Sequence, residues 1–179
     1  IFWNFCQKDI TDRIGCSEAA GAFLFGKKPY TVLKNAICCE EYAYDEAVRK
    51  QIRAQHQAEG KFVVGNVGRF SQQKNQGYLI EIFANLQKKQ KNSVLWLVGD
   101  GELRPQLEEK VKELGLISSV KFFGMVDNTK ELYQAMDVLV MPSLFEGLPM
   151  TGVEAQACGL PCVFADTITR EVDVMGSPF

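Results

Sequence analysis

From residue 61 onward, short apolar runs alternate with longer stretches in which apolar residues recur every three or four positions. Residues 62–68, Phe-Val-Val-Gly-Asn-Val-Gly, read as a buried strand. Residues 75–89 read as a helix with Leu79, Ile82, Phe83 and Leu86 on one face. The alternation continues with a strand over 94–98, a helix over 102–114 ended by Gly115, and a strand over 120–124. It closes with a short helix over 129–135, a strand over 138–142, a helix over 149–158 and a strand over 161–165. Continuous apolar strands separated by helices predict a parallel sheet covered on both faces, a Rossmann-like doubly wound α/β domain. Such sheets take ligands beyond the carboxyl ends of their strands. Gly68-Arg69, Gly99-Asp100-Gly101, Gly124-Met125-Val126 and Glu146-Gly147 fall at those ends.

The first sixty residues are less periodic. Ser17 predicts the cap of a helix that runs to Phe25 and ends at Gly26, residues 30–33 a strand, and 42–57 a helix carrying Arg49, Lys50 and Arg53. A length of 179 residues makes one domain the default. Hydrophobic content of 46% with 23% charged residues is that of a folded globular chain. Twenty Lys and Arg against 22 Asp and Glu leave net charge −2, no bulk field for a polyanion, so nucleic acid is not the expected partner. The single histidine, His56, excludes a multi-His metal site and argues against a His-dependent triad. Six cysteines at 6, 16, 38, 39, 158 and 162 have no disulfide-framework spacing and are expected as reduced, mostly buried thiols of a cytoplasmic protein. Cys158 and Cys162 lack the second pair a zinc site needs. No apolar run approaches the ~20 residues that span a bilayer. Residues 1–5 are too short, and too soon followed by Lys8 and Asp9, to be a signal peptide. The lack of an initiator Met and the stop at Phe179 are those expected of a piece of a longer polypeptide.

Two glycine patterns carry less than they promise. Residues 21–28 nearly match a phosphate-binding loop, but Lys28 replaces the magnesium-binding hydroxyl and Phe23-Leu24-Phe25 is too bulky to wrap phosphate. Gly99-Asp100-Gly101 begins a dinucleotide fingerprint whose third glycine position is Arg104, so a tight turn is the expected meaning. Arg69 and Lys74 are more informative, since both follow the first strong strand. There they are either ordinary surface charges or the grip on a diphosphate, each charge-assisted bond contributing about 1.5–3 kcal/mol. The segment Glu146 to Glu154 carries the strongest signal. Pro149 is expected at the first helical position, leaving the amides of Met150 and Thr151 unpaired, as at a helix start that binds phosphate. Gly147 lets a ligand approach the backbone. Glu154, in the first turns, is either a carboxylate for two ribose hydroxyls or a helix residue favoured by the dipole.

These residues resemble a known family. Glu146 and Glu154 match the Glu-x7-Glu motif of retaining GT-B glycosyltransferases, with Pro142-Ser143 before it and Ala155-Gln156-Ala157-Cys158-Gly159-Leu160-Pro161 after. Val67-Gly68-Arg69 with Lys74-Asn75, residues 97–101 with Leu103, residues 120–124 and residues 133–140 resemble successive signatures of glycosyltransferase family 4. Residues 9–17 are similar to the last strand and linker of that family's N-terminal half. Residues 32–37 resemble its Asn-Gly-(Ile/Val) approach to the donor domain, with Ala36 in place of Gly.

The resemblance implies the C-terminal, donor-binding half of a GT-B enzyme: residues 35–179 as the nucleotide-sugar domain, short of its C-terminal end, and 1–34 as linker and remnant of the N-terminal half. It implies transfer of a hexose from a nucleotide-sugar, with UDP the expected nucleotide, to a polysaccharide or glycolipid acceptor, as in exopolysaccharide or capsule synthesis. Carried over by position, Arg69 and Lys74 hold the diphosphate and Glu146 contacts the donor sugar. Gly147, Leu148, Pro149, Met150 and Thr151 grip sugar and phosphate, Glu154 binds ribose, and Val126 meets the base. The catalytic set is Glu146, Arg69 and Lys74, with no metal and no cofactor beyond the donor. Cations and helix-start amides placed where a diphosphate leaves lower the barrier electrostatically. Two glutamates also serve glycosidases, but Arg69 and Lys74 would have no purpose there. The implied partners are the donor, the N-terminal acceptor half and a lipid-linked or polysaccharide acceptor, at the inner face of the membrane. A non-catalytic nucleotide-binding GT-B module and a GT-B epimerase are the alternatives, and a phosphorylase would need a lysine-bound pyridoxal cofactor.

Overall fold

Five parallel strands alternate their side chains between two separate apolar clusters. A computed structural model describes residues 11–176 of the chain. Residues 1–10 and 177–179 lie outside it, and with them Cys6, the opening apolar residues and part of the 9–17 resemblance. The elements run β1 (Ile14–Gly15), α1 (Glu18–Phe25), β2 (Thr31–Val32), α2 (Glu46–Gln55), β3 (Phe62–Val67), α3 (Gln76–Lys89) and β4 (Ser93–Val98). They continue with α4 (Arg104–Glu113), β5 (Val120–Gly124), α5 (Thr129–Ala135), β6 (Val138–Met141), α6 (Met150–Ala157) and β7 (Cys162–Phe164). The main sheet has the order β5-β4-β3-β6-β7, and β1 pairs with β2 in a separate two-stranded sheet. This is the doubly wound parallel sheet expected. On β4, Leu95 and Leu97 point into the cluster with Leu79, Ile80 and Phe83 of α3 and Leu107 and Val111 of α4. Trp96 and Val98 point the other way, toward Ile52 of α2, Tyr133 of α5 and Ala155 of α6. Burial on both faces explains why these strands are continuously apolar rather than alternating.

Three expected helix starts move, the first of them through a side-chain cap. The 42–57 helix divides, because the Asp45 carboxylate accepts from the amides of Ala47 and Val48 and starts α2 at Glu46. The residues before it, Cys39–Tyr42, form a separate 3-10 turn. The 102–114 helix begins at Arg104, with Pro105 in its first turn. Pro149 stands one position before α6, not at its first helical position. Its ψ of 111° is extended, and its carbonyl accepts from the amides of Gly152 and Val153. At the N-terminal side, Ser17 caps α1 by accepting from Ala20 N, and Gly26 closes it at φ 60°.

Asp137 joins α2 to the corner between α5 and β6. Its Oδ1 accepts from Arg49, and its Oδ2 from both Arg53 at 2.7 Å and the amide of Val63 at 2.7 Å. The same guanidiniums donate to the carbonyls of Gln134, Met136 and Lys61. All three charged side chains are about one-fifth exposed or less. Removing the anion leaves two cations part-buried and unpaired, so Asp137→Ala is expected to cost about 3 kcal/mol in denaturant unfolding.

His56, just past α2, lies edge-on to Trp96 and Phe123 with Nδ1 2.8 Å from Lys121 Nζ. Burial, then the Lys121 charge, holds the imidazole below its ordinary 6.5. Below pH 6.5 the unfolded chain takes up the proton first, so stability is full above that value and falls as pH drops toward the folded-state pKa. In pH-dependent thermal melts, His56→Gln is expected to flatten this limb of the profile.

Candidate functional site

The sheet parts between β3 and β6. Their ladder ends at Gly65↔Leu139, whereas β3 and β4 stay paired to Val67↔Val98. Just beyond the split a side chain spans the gap, the Asn66 amide donating to Val140 O at 2.8 Å. This is where the chain order reverses, and open α/β sheets place ligands there. The segments that leave β3 and β6 meet above it. Leu144 N donates to Gln73 O, Asn75 Nδ2 to Pro142 O, and Gln73 Nε2 to Phe145 O. Asn75 adopts the left-handed conformation, at φ 55° and ψ 35°, that turns the 3-10 segment Gln72–Lys74 into α3.

That meeting brings Lys74 onto Glu146. Lys74 Nζ lies 2.6 Å from Glu146 Oε1, and Gln73 Nε2 is 3.5 Å from Oε2. The Glu146 side chain is only 9% exposed, so its charge has little water and depends on Lys74. Behind it, Glu146 bridges to Ile168 and Thr167 donates to Ser143 O. The fully buried Ser17 hydroxyl donates to Gly147 O at 3.1 Å, setting α1 against the same loop. The amides of Met150 and Thr151 precede the first hydrogen bond of α6. Leu148 packs on the α5–α6 side of the core and Pro149 is buried.

Beside this pair lies a cavity of about 350 Å³ over the ends of β3, β4 and β5, lined by Val67, Gly68, Arg69, Gly99, Met125 and Val126. Two glycines let its floor form. A Cβ on Gly99, at φ 127°, would stand 2.2 Å from Gly68 O, and one on Gly101 2.4 Å from Phe70 O. The Gly99-Asp100-Gly101 turn is therefore the tight strand-to-helix turn expected. Asp100 is fixed in it by the Gly101 amide and Arg104, which hold its carboxyl below the usual carboxylate range.

Arg69 and Val126 thus line one cavity, and Lys74 and Glu146 form one ion pair next to it. Arg69 is three-quarters exposed and paired with Glu102 at 3.1 Å rather than reaching toward Lys74. Glu154 stands apart from both groups, on α6, where Tyr133 donates to its Oε2 at 3.0 Å. Gln73, Glu102 and Tyr133 are not read from the sequence as site residues, and Ser17 is read only as a helix cap. Each acts through a contact of long sequence separation that no local pattern announces. Among the described residues, no group of three or more His, Cys, Asp or Glu side chains is placed to hold a metal ion. Of the described cysteines only Cys158 is buried, Cys16 and Cys162 are half-buried, and Cys38 and Cys39, in the 3-10 turn and just before it, are exposed, so the thiols are not mostly buried as expected. Cys158 and Cys162 are free, and burial raises their thiols to about 11 and about 12. No helix among these residues is long and apolar enough to cross a membrane.

Residues 48–176 match the family profile for glycosyl transferases group 1. The chain belongs to this family. As a group 1 glycosyl transferase domain it is 37% identical to a putative glycosyltransferase EpsF of Bacillus subtilis, over 97% of this chain and 47% of that protein. A UDP-Gal:alpha-D-GlcNAc-diphosphoundecaprenol alpha-1,3-galactosyltransferase of Escherichia coli is 35% identical over 59% of this chain and 28% of its own length. Among solved structures, that of Anabaena Alr3699/HepE in complex with UDP-glucose superposes with a TM-score of 0.82. It is 28% identical over 92% of this chain and 47% of that one. The chain therefore spans about half, or less, of the length of these relatives, and the sheet is that of one GT-B half.

In this group 1 domain the floor of the cavity makes a direct test of the packing. Gly99→Ala forces a Cβ onto a carbonyl in a backbone conformation that L side chains rarely adopt, and is expected to cost at least about 2 kcal/mol in thermal or denaturant unfolding.

Proposed function

We propose that this chain is the donor-binding domain of a retaining family 4 glycosyltransferase that takes a hexose from a UDP-sugar. In this reading residues 35–179 form that domain, and 1–34 lead from an N-terminal half that binds a polysaccharide or lipid-linked acceptor at the inner face of the membrane. The observation that carries it is the Lys74–Glu146 pair at the split between β3 and β6, flanked by the cavity of Arg69 and Val126. The UDP and UDP-glucose complexes of HepE and the UDP-Gal donor named for the E. coli relative favour a uridine diphosphate donor. The amylovoran biosynthesis glycosyltransferase of Erwinia amylovora, 36% identical over 61% of this chain, favours an exopolysaccharide product.

Each residue has a task that its surroundings suit. The cavity walls at Val126 and Met125 are apolar and take the base. Arg69, exposed and held only by a surface carboxylate, swings from Glu102 to the diphosphate at little cost. Lys74 holds the phosphate next to the sugar. Glu146, already aligned by Lys74 and Gln73, accepts from the sugar hydroxyls. A carboxylate in contact with an ammonium is a weak nucleophile, so it serves to orient and not to attack. The amides of Leu148, Met150 and Thr151 meet sugar and phosphate at the start of α6. A Cβ on Gly147 would meet Ala20 and Cys16 at an ordinary 3.5 Å, so internal packing does not require glycine there, and close approach of a ligand does. As the glycosidic bond breaks, Arg69, Lys74 and these amides take up the charge that develops on the diphosphate.

Titration of the chain with UDP in a calorimeter tests this. Arg69→Ala and Lys74→Met are each expected to weaken binding by about tenfold or more, and Glu154→Ala similarly. Unchanged affinity in all three would sink the site.

A further inference from the structure

Glu154 is a partly buried carboxylate that takes part in no ion pair among the described residues. Its neighbours are phenols and a thiol. Tyr133, from α5, is fully buried and donates its hydroxyl to Glu154 Oε2 at 3.0 Å. Tyr42, from the turn Cys39–Tyr42, packs on the same side of the core and within reach of the same carboxylate. Burial first, and then the Glu154 charge, raise both phenols above their ordinary value, so both are protonated donors at neutral pH. Cys158, one turn on, is a neutral thiol raised to about 11 by burial and by the same carboxylate.

An ionised carboxylate accepts about four hydrogen bonds. Tyr133 takes one site on Oε2, which restricts the rotation of the group about its last bond, and with Tyr42 taking at most one more, about two acceptor sites remain for a ligand. Two oxygens held in a fixed plane suit a pair of vicinal hydroxyls. A freely rotating carboxylate would lose that fit and the rotational entropy with it. We propose that Tyr133 is a positioning residue, with Tyr42 as its second support: it turns Glu154 so that the carboxylate reads the 2′- and 3′-hydroxyls of a ribonucleotide. The inference rests on the nucleotide-binding role given to this site above. Tyr133 touches Glu154 and not the ligand. Tyr42 belongs to the segment that leads into α2, so a shift of that segment loosens one support of Glu154.

The test compares UDP with 2′,3′-dideoxy-UDP on the chain as it stands, by calorimetry. Wild-type protein is expected to prefer UDP. Tyr133→Phe keeps the ring and is expected to weaken UDP by about five- to tenfold while changing the dideoxy nucleotide less than about twofold. Tyr42→Phe is expected to give a smaller loss with the same selectivity, and it carries the comparison if Tyr133→Phe melts too low to titrate. In a Glu154→Gln background Tyr133→Phe should add no further loss. Equal loss for both nucleotides means that Tyr133 only supports the fold, and overturns the proposal. So does UDP affinity that Tyr133→Phe leaves unchanged, or a wild type that binds the two nucleotides alike. A wild type that binds neither overturns the nucleotide site itself, and the positioning role falls with it.

Discussion

A parallel sheet with the order β5-β4-β3-β6-β7 obliges the chain to leave β3 on one face and to enter β6 from the other. The loops that follow these two neighbours therefore run in opposite directions, and the strand ladder between them ends at Gly65↔Leu139. A gap at this position is a consequence of topology. Left to water it would expose the ends of two buried strands. Here polar side chains close it at the base, with Asn66 reaching Val140 and Asn75 reaching Pro142. Higher up, Lys74 and Glu146 face each other across it. The ion pair is thus set by the split, and the cavity, the α6 start and the Ser17 contact are arranged around it.

Pairs of this kind add little net stability, because the desolvation of two charges offsets most of their attraction. Stability comes from the two apolar clusters and from Asp137, which ties α2 to the strand side of the α5–β6 corner. The division is physical. Asp137 spends all its acceptor capacity on protein donors and has none left for a ligand. Glu146 and Glu154 each keep an oxygen with no short protein bond, Glu146 Oε2 having only Gln73 at 3.5 Å. A carboxylate with spare lone pairs, held in place on one side, is suited to hydroxyl recognition.

Periodicity made every strand of the main sheet legible, because strands buried on both faces are runs of Val, Leu, Phe and Trp that no helix period fits. Gly26 and Gly115 likewise marked real helix ends, both at positive φ. Errors arose where a cap outweighed periodicity, as when Asp45 cut the 42–57 stretch or when Pro149 stayed extended ahead of α6. The site was legible one element at a time. Arg69, Lys74, Val126 and Glu146 follow the carboxyl ends of β3, β5 and β6, which strand order places along one edge of the sheet, whereas Glu154 stands apart on α6. What stayed out of reach was pairing. That Lys74 meets Glu146 while Arg69 turns to Glu102 depends on the 3-10 turn Gln72–Lys74 and the left-handed Asn75, and neither has a sequence period.

Net charge of −2 argued against a polyanion, and that argument concerned long-range fields. Within one Debye length, about 8–10 Å, the local arrangement decides instead. The Lys74 charge is offset by Glu146, and that of Arg69 by Glu102. A diphosphate arriving there would not find two free cations. It competes with two carboxylates, one three-quarters buried or more and the other on the surface. The surface partner yields readily, since an exposed pair is worth less than about 1 kcal/mol, whereas Glu146 stays and shares Lys74 with the ligand. On the proposed function, the difference in burial between two otherwise similar ion pairs separates a mobile grip on the diphosphate from a fixed frame for the sugar.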